Sequence, residues 1–170
     1  MASTLEQLNA AGADEAAQLL DGLYEHSPWI AQAALAHRPF HSLAHLKCVM
    51  ARIVEEAASE DQLSLVREHP ELAGKAMVGK TLTTESTHEQ GKAGLADCTP
   101  AEFAKLQQLN ADYNAKFGFP FILAVRGASK TEILDAFERR IANSAQSEFD
   151  TALAQVCTIL RFRIEDRIGP

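Results

Sequence analysis

The sequence has few of the features that mark secreted, membrane-spanning or nucleic-acid-binding proteins. It contains three cysteines in 170 residues, an odd number that argues against a disulfide framework. No apolar run approaches the ~20 residues that a transmembrane helix needs. Acidic residues outnumber basic ones by 23 to 16, which gives a formal net charge of −7. We therefore expect neither nucleic acid, whose binding domains carry a basic surface, nor an anionic membrane as a partner.

Targeting signals are also missing from the sequence. The opening residues MASTLEQLNAAGADEAAQLL have no basic n-region and no apolar h-region, so they do not predict a signal peptide. The final IGP does not match a peroxisomal signal. Cys48, Cys98 and Cys157 are widely spaced, and the sequence assigns no role to them. Together these observations predict a reduced, cytoplasmic protein.

The residues that are present favour helices over strands. Aromatic residues make up only 6% of the chain, whereas alanine and leucine, which lead the helix-propensity scale, are abundant. The composition therefore predicts an all-α protein. A chain of this length fits one domain, here spanning 1–170, and can bury roughly 70% of its unfolded surface.

Helix start and stop signals recur along the chain and predict a compact bundle of about eight or nine helices. The expected starts are Ser3 with Glu6, Asp14, Ser27-Pro28, Ser42, Ser59 with Gln62, Thr99-Pro100 with Glu102, Ser129 with Glu132, and Ser144. The expected ends lie near Tyr24, at His69 before Pro70, at Phe117 before Gly118, and near Asn143 and Ile168.

Two stretches break the helical pattern. Residues 70–83 hold two glycines and a threonine cluster, and residues 118–127, GFPFILAVRG, form an apolar run between glycines. The second stretch has no credible partner strand, and a lone strand leaves its backbone groups unpaired. We therefore predict an extended, semi-buried segment whose backbone N–H and C=O groups face a ligand.

A P-loop pattern spans residues 74–81, GKAMVGKT, and matches G-x-x-x-x-G-K-[ST]. That motif needs a strand before it and a helix after it, whereas LVREHPELA and LTTES provide neither. A small nucleotide-binding protein that uses this segment remains an alternative.

Three histidines are spaced by four residues, at His37, His41 and His45. Helical histidines at that spacing can bind Zn²⁺ or Cu²⁺, but Pro39 interrupts the run. Partly exposed histidines on an amphipathic helix are the favoured interpretation, and we predict no metal site. The sequence alone leaves metal binding by these three residues open.

A candidate acid–base pair is formed by His69 and Glu89. His69 ends a predicted helix, where the negative end of the helix dipole favours imidazolium, and histidine is the usual general acid or base near neutral pH. Glu85 and Glu89 flank Ser86 in a segment, TTESTHEQ, that reads as turn-rich. From these residues alone, a surface histidine at a helix end remains the alternative.

Several longer motifs, found together and in order, resemble one known family. They are REHPELAGK, LTTESTHEQGKAGL, LNADYNAKFGFPFILAVRG, ILDAFERRIAN and a closing E-x₃-AL pattern that ends in RFRI, with Trp29, Arg38-Pro39-Phe40 and Leu46 upstream. The family is the OHCU decarboxylases, which act on 2-oxo-4-hydroxy-4-carboxy-5-ureidoimidazoline in urate degradation. The resemblance covers about residues 20 to 168.

The resemblance implies an all-α, homodimeric and cofactor-free enzyme that releases CO₂ and forms (S)-allantoin. The family's catalytic residues fall on His69, Glu89 and Arg163, whereas Arg161 would point elsewhere on a helix. Its substrate contacts fall on Pro70, on Ser86, Thr87, His88 and Gln90, and on Phe121, Ile122, Leu123, Ala124 and Val125. His88, His41 and His45 lie outside the family pattern.

The chemistry explains why these residue types suffice. Loss of CO₂ leaves an electron pair that needs a sink, and in this substrate a ring C=N beside the carboxylated carbon can accept it. Arg163 can hold oxygens, while His69 and Glu89 can move protons, although the sequence leaves their division of roles open. A non-catalytic helical binding module remains a further alternative, disfavoured by the intact set of three residues.

Overall fold

The described part of the chain is mainly helical. The computed structural model describes residues 3–24, 26–74 and 84–169. Within those ranges it contains nine α-helices, a 3₁₀ turn and two short strands, so the all-α prediction is confirmed. The helices are α1 (Leu5–Ala10), α2 (Ala13–Leu19), α3 (Pro28–Leu35), α4 (Leu43–Glu56), α5 (Ser59–Glu68), α6 (Thr84–Lys92), α7 (Pro100–Phe117), α8 (Lys130–Arg140) and α9 (Ala145–Arg167). The 3₁₀ turn is Leu95–Asp97, and the strands are β1 (Ser3–Thr4) and β2 (Ile168–Gly169).

The chain divides into two compact units. The terminal unit comprises Met1–Leu65 with Cys157–Pro170, and the central unit comprises Val66–Val156. One domain spanning 1–170 stays a prediction. No described helix is both long and apolar enough to cross a bilayer.

The two ends of the chain pair with each other in the terminal unit. Strands β1 and β2 pair in parallel, with Ser3 opposite Ile168 and Thr4 opposite Gly169. Neither strand was predicted, because each is only two residues long. Apolar residues of α1 to α4 and of the connection between α2 and α3 are buried in the core of this unit. They include Leu8, Leu20, Leu23, Ile30, Leu46 and Met50.

The core of the central unit is aromatic. The Tyr113 ring contacts those of Phe117, Phe119, Phe121 and Phe137. Phe121 and Phe137 stack with their ring centroids 3.7 Å apart. Aromatic pairs contribute about 0.5–1.5 kcal/mol beyond the area that they bury. This cluster therefore fixes the 118–127 segment against α7 and α8.

Most helix boundaries follow the predicted caps. The side chains of Ser42, Thr99 and Ser129 each accept a hydrogen bond from the backbone N–H three residues later. Thr99 and Ser129 complete capping boxes with Glu102 and Glu132, respectively. Gly118 ends α7 in the left-handed conformation, with φ of 75°, which glycine adopts without a steric penalty.

Two boundaries near the N-terminus were predicted wrongly. The first capping box uses Thr4 and Gln7 rather than Ser3 and Glu6, because α1 begins at Leu5 and Thr4 is therefore its N-cap. Helix α2 has Gly12 as its N-cap and ends at Leu19, so Asp14 lies in its first turn rather than at its cap. An aspartate is favourable both at the N-cap and in the first turn, because either position places negative charge at the positive end of the helix dipole.

The predicted turn-rich segment TTESTHEQ is also corrected, because α6 spans Thr84–Lys92. Serine and threonine have modest helix propensity, and local sequence alone therefore favoured turns. Tertiary contacts reverse that preference, since Ser86 and Gln90 lie one turn apart and are both buried. Of the other predicted irregular stretch, residues 70–74 are non-helical as expected, and 75–83 lie outside the described residues.

The 118–127 segment is extended without strand pairing, as predicted. Its backbone is not wholly available to a ligand, however. Arg140 Nη1 donates to the Ile122 carbonyl at 2.7 Å, and the Ala124 N–H donates to Gln155 Oε1 at 2.9 Å. The expectation that this backbone faces a ligand is therefore wrong for these two groups, because side chains of α8 and α9 already bind them.

A buried carboxylate joins three elements of the central unit. Glu148 is fully buried and accepts hydrogen bonds from Arg140 Nη2 at 2.9 Å, from Asn143 Nδ2 at 2.9 Å and from the Tyr113 hydroxyl. Burial alone would raise the pKa of Glu148, but these hydrogen bonds outweigh it and hold the pKa below its ordinary value. Arg140 also lies over the Phe121 ring, 4.4 Å from its centroid.

We predict that Glu148→Gln destabilises the protein in a pH-dependent way. At pH 7 the free energy of unfolding should fall by about 3 kcal/mol, because removal of one member of a buried ion pair leaves the other uncompensated. The lowered pKa means that wild type has this stabilisation above the unfolded carboxyl pKa of about 4.3 and loses it as the pH falls further. The difference in the free energy of unfolding between wild type and Glu148→Gln should therefore narrow below pH 4, as measured by urea denaturation.

Glu138→Gln is the matched control. Glu138 pairs with Lys105 at 2.6 Å, but both side chains are about half exposed, and such pairs contribute about 0–1 kcal/mol. An equal loss of stability in both variants, or a gap for Glu148→Gln that does not change with pH, would contradict the buried-carboxylate account.

Candidate functional site

His69 follows directly after the end of α5. The helix ends at Glu68 and Pro70 comes next, so the chain cannot continue as a helix. His69 and Pro70 are both half-buried, and the His69 N–H donates to the Val66 carbonyl at 3.4 Å. The imidazole is thus attached to a helix end and not to a free surface loop.

The next three residues form a loop whose backbone is held by a side chain from α6. Gln90 donates through Nε2 to the Glu71 carbonyl at 3.2 Å and accepts the Ala73 N–H at Oε1 at 2.8 Å. Ala73 has a φ of 50°, in the left-handed region that non-glycine residues rarely adopt. Asn114 Nδ2 donates to the Glu71 carboxylate at 2.6 Å. We refer to residues 71–73 as the 71–73 loop.

Helix α7 holds the same loop from another direction. Asn110 Nδ2 donates to the Leu72 carbonyl at 2.9 Å, and Gln107 Nε2 donates to the Ala73 carbonyl at 2.5 Å. Leu72 and Ala73 are buried, so these carbonyls need partners from within the protein. Four carboxamide side chains therefore surround the loop, and we call them the amide cluster: Gln90, Gln107, Asn110 and Asn114.

The candidate residues on α6 divide between two faces of the helix. Ser86 and Gln90 are each 3% exposed and face inward. Glu89 is half-buried at the edge of that inner face. Thr87 and His88 are exposed on the opposite face. The structure therefore groups Ser86, Glu89 and Gln90, and it places the two other predicted substrate contacts away from them.

The candidate residues of the 118–127 segment contribute mainly to the core. Phe121, Ile122 and Val125 are buried, whereas Leu123 and Ala124 are half-buried. Phe121 belongs to the aromatic cluster around Tyr113. A ligand would therefore meet this segment through backbone groups and its two half-buried residues.

Arg163 lies on α9 in the terminal unit. It is 4% exposed, and its Nη1 lies 3.4 Å from the Gly22 carbonyl and 3.3 Å from the Leu23 carbonyl. Arg161, two residues earlier on the same helix, is exposed. This contrast agrees with the expectation that the two side chains point in different directions. A buried guanidinium keeps its charge at any physiological pH, which suits the binding of an anion.

The histidine triplet predicted at four-residue spacing is only partly helical. His37 follows α3, whereas the His41 and His45 rings stack with centroids 5.2 Å apart. His45 Nδ1 accepts the backbone N–H of His41 at 3.2 Å, so that nitrogen is engaged. Among residues 3–24, 26–74 and 84–169, no cluster of three or more His, Cys, Asp or Glu side chains is arranged to hold a metal ion.

The amide cluster is the part of the site that sequence reasoning missed. Gln107, Asn110 and Asn114 are spaced i, i+3 and i+7, which places all three on one face of α7. The sequence did contain a signal for this cluster: polar residues recur at a helical spacing that core residues normally occupy. Side-chain amides thus hold the loop that directly follows His69 and Pro70, and one of them, Gln90, is the neighbour of Glu89 in α6.

Comparisons with known proteins show which family model and which relatives the chain matches. A family model described as OHCU decarboxylase matches residues 9–165. A 2-oxo-4-hydroxy-4-carboxy-5-ureidoimidazoline decarboxylase from Haloferax volcanii is 39% identical over 98% of this chain and 96% of that protein. One from Halalkalicoccus jeotgali is 40% identical over 98% of this chain and 93% of that protein.

Solved structures give the same result. The crystal structure of an (S)-allantoin synthase superposes with a TM-score of 0.79 at 30% identity. The match covers 98% of this chain and 54% of that chain, so the present sequence spans about half the length of that protein.

We predict that Gln90→Met lowers the free energy of unfolding by about 2 kcal/mol, because the buried Ala73 N–H and the Glu71 carbonyl lose their partner. His88→Met is the matched control on the exposed face of the same helix, where substitutions change stability by about 0.5 kcal/mol or less. Urea denaturation at pH 7 measures both. If the two variants lose equal stability, Gln90 does not hold the loop as described.

Proposed function

The chain belongs to the OHCU decarboxylase family, and we propose that it catalyses decarboxylation of 2-oxo-4-hydroxy-4-carboxy-5-ureidoimidazoline to (S)-allantoin in urate degradation. The observation that carries this proposal is the grouping in the central unit. Gln90, the neighbour of Glu89 in α6, holds the loop that follows His69 and Pro70. Near-complete coverage of the decarboxylases from the two archaea supports the same reaction.

The proposed reaction needs no cofactor, because the substrate provides its own electron sink. When the C–C bond to the carboxylate breaks, CO₂ leaves and the electron pair moves into the adjacent ring C=N. The carbon that lost CO₂ becomes a carbonyl as its hydroxyl gives up a proton, and a proton is delivered to one face of the neighbouring ring carbon, which carries the ureido group. The protein has to orient the carboxylate out of the ring plane, stabilise the developing charge and deliver that proton.

We assign these tasks to three residues. Arg163 holds anionic or carbonyl oxygens of the substrate with its planar set of donors. Glu89 removes the proton of the substrate hydroxyl or orients His69. His69 supplies the proton that sets the S configuration. The position of His69 at a helix end and the half-buried position of Glu89 support these roles.

Recognition of the ureido group and ring amides is proposed for the surrounding residues. Pro70 supplies a half-buried apolar contact, and Ser86 and Gln90 lie on the inner face of α6. Thr87 and His88 belong to the same proposed segment, but their exposure supports them less. The remaining contacts are proposed for Phe121, Ile122, Leu123, Ala124 and Val125, through backbone groups other than the Ile122 carbonyl and the Ala124 N–H.

A coupled assay tests the function of the wild-type protein. Urate is converted by a urate oxidase and a hydroxyisourate hydrolase, this protein is added, and circular dichroism follows the product. We expect prompt formation of (S)-allantoin at a rate proportional to protein concentration. Slow formation of racemic product, identical to a control without the protein, would show that the chain is a non-catalytic member of the fold.

We predict that His69→Asn separates decarboxylation from stereochemistry. The substrate can still lose CO₂, but the proton then comes from solvent on either face, so allantoin should form slowly and as a racemate. His37→Asn, at an exposed histidine, should match wild type. Chiral chromatography of product quenched early measures the enantiomer ratio. Full rate and full (S) selectivity in His69→Asn would remove His69 from the reaction.

We predict that Glu89→Gln lowers kcat by about 10²–10⁴, the range found for acid–base groups. Gln is isosteric with Glu and keeps hydrogen bonding, so the loss reports the carboxylate charge. Glu85→Gln, one turn earlier on α6, is the control and should keep most activity. A loss below about tenfold in Glu89→Gln, or an equal loss in Glu85→Gln, would contradict the assignment of Glu89.

We further propose that the enzyme works as a cytoplasmic homodimer. The support for a dimer is the family membership. The support for the compartment is the cysteine chemistry: Cys48, Cys98 and Cys157 are all free thiols, as is usual in a reducing environment.

A further inference from the structure

We infer that Gln107 and Asn110 are positioning residues for the proposed reaction and that they act through the 71–73 loop on His69. This inference rests on the proposed function. Neither side chain is assigned a contact with the substrate in that function. Their role is to determine where the chain that leaves His69 and Pro70 runs, and thereby the position of the imidazole.

The contacts that carry the inference link parts of the chain that are far apart in sequence. Asn110 Nδ2 donates to the Leu72 carbonyl, 38 residues away, and Gln107 Nε2 donates to the Ala73 carbonyl, 34 residues away. These carbonyls lie three and four residues after His69. Because Leu72 and Ala73 are buried, the loop cannot move without the loss of both hydrogen bonds.

The same loop connects His69 with Glu89. Gln90 follows Glu89 in α6 and binds both the Glu71 carbonyl and the Ala73 N–H. A shift of the loop would therefore change the position of α6 as well as that of the histidine. Gln107 and Asn110 hold the loop from α7, on which neither proposed catalytic residue lies, so they fix the pair from an independent element.

Asn110 contributes to the cluster through its donor and not through its acceptor. It is 2% exposed, and its Oδ1 has no hydrogen-bond partner in the part of the chain that the structure describes. The unpaired acceptor costs stability, whereas loss of the donor would leave the buried Leu72 carbonyl without this partner. An asparagine here is explained by its donor to Leu72, which suits a role at a functional site.

The chemical type of the cluster fits the same role. Carboxamides donate to carbonyls without adding charge, whereas lysine or arginine at these positions would shift the protonation of a nearby histidine or glutamate. The amide cluster therefore fixes the loop and leaves the acid–base properties of His69 and Glu89 to their own surroundings.

The experiment compares two adjacent glutamines of α7. Gln107→Met removes the donor to Ala73 and keeps the length of the side chain. Gln108→Met is the matched control, because Gln108 is exposed and its side chain donates to Asp112 of the same helix, at 2.7 Å. We expect kcat of Gln107→Met to fall about tenfold with KM within about twofold, since small displacements at a reacting centre reduce rate more than binding. The (S) excess of the product should fall with it, and Gln108→Met should match wild type.

Asn110→Leu is a second variant, whose effect on the free energy of unfolding should differ from that of Gln107→Met. It should show the same loss of kcat, although it removes the buried Oδ1 as well as the donor. Hydrogen exchange of residues 69–74 should be several-fold faster in both Gln107→Met and Asn110→Leu than in wild type or Gln108→Met.

Three results would overturn the inference. They are a kcat of Gln107→Met within about twofold of wild type, an equal loss in Gln108→Met, and a rise in KM with kcat unchanged, which would indicate a binding contact instead. If wild type itself lacks activity, the proposed function fails and the reaction role fails with it. The exchange rates then decide separately whether Gln107 and Asn110 hold the loop.

Discussion

Backbone that leaves a helix and passes through a protein interior must have its N–H and C=O groups hydrogen-bonded, and in this chain side chains provide the partners. Within the central unit, the 71–73 loop is bound by Gln90, Gln107 and Asn110. The 118–127 segment is bound by Arg140 and Gln155. The first segment directly follows His69 and Pro70, and the second carries residues proposed to contact the substrate. The same polar side chains that make an irregular interior stable therefore also fix the geometry of the site.

The two segments are held by different chemistry. Neutral carboxamides surround the loop after His69, whereas an ion pair supports the aromatic segment, since Arg140 binds both Ile122 and the buried Glu148. Burial and the Glu148 carboxylate raise the pKa of the Tyr113 hydroxyl well above its ordinary value, so that it remains a donor. The charged cluster thus supports the aromatic core at Tyr113 and Phe121, whereas neutral carboxamides support the loop that follows His69 and Pro70.

Sequence patterns predicted the features that depend on neighbouring residues. The caps at Ser42, Thr99 and Ser129 and the end of α7 at Gly118 were predictable, because each depends on a side chain within three residues or on a single glycine. Helix α6 was missed, since Thr84 and Ser86 disfavour a helix locally and only the burial of Ser86 and Gln90 favours it. The β1–β2 pair was missed because its strands lie at opposite ends of the chain. Gln107 and Asn110 were missed for a similar reason, as their partners are more than 30 residues away.

The most direct test of the account is a crystal structure of the protein with (S)-allantoin bound. We predict that the product contacts His69, Glu89 and the inner face of α6 at Ser86. We also predict that the 71–73 loop keeps its bonds to Gln107 and Asn110. Product bound against the exposed face that carries Thr87 and His88, or away from His69 and Glu89, would contradict the account.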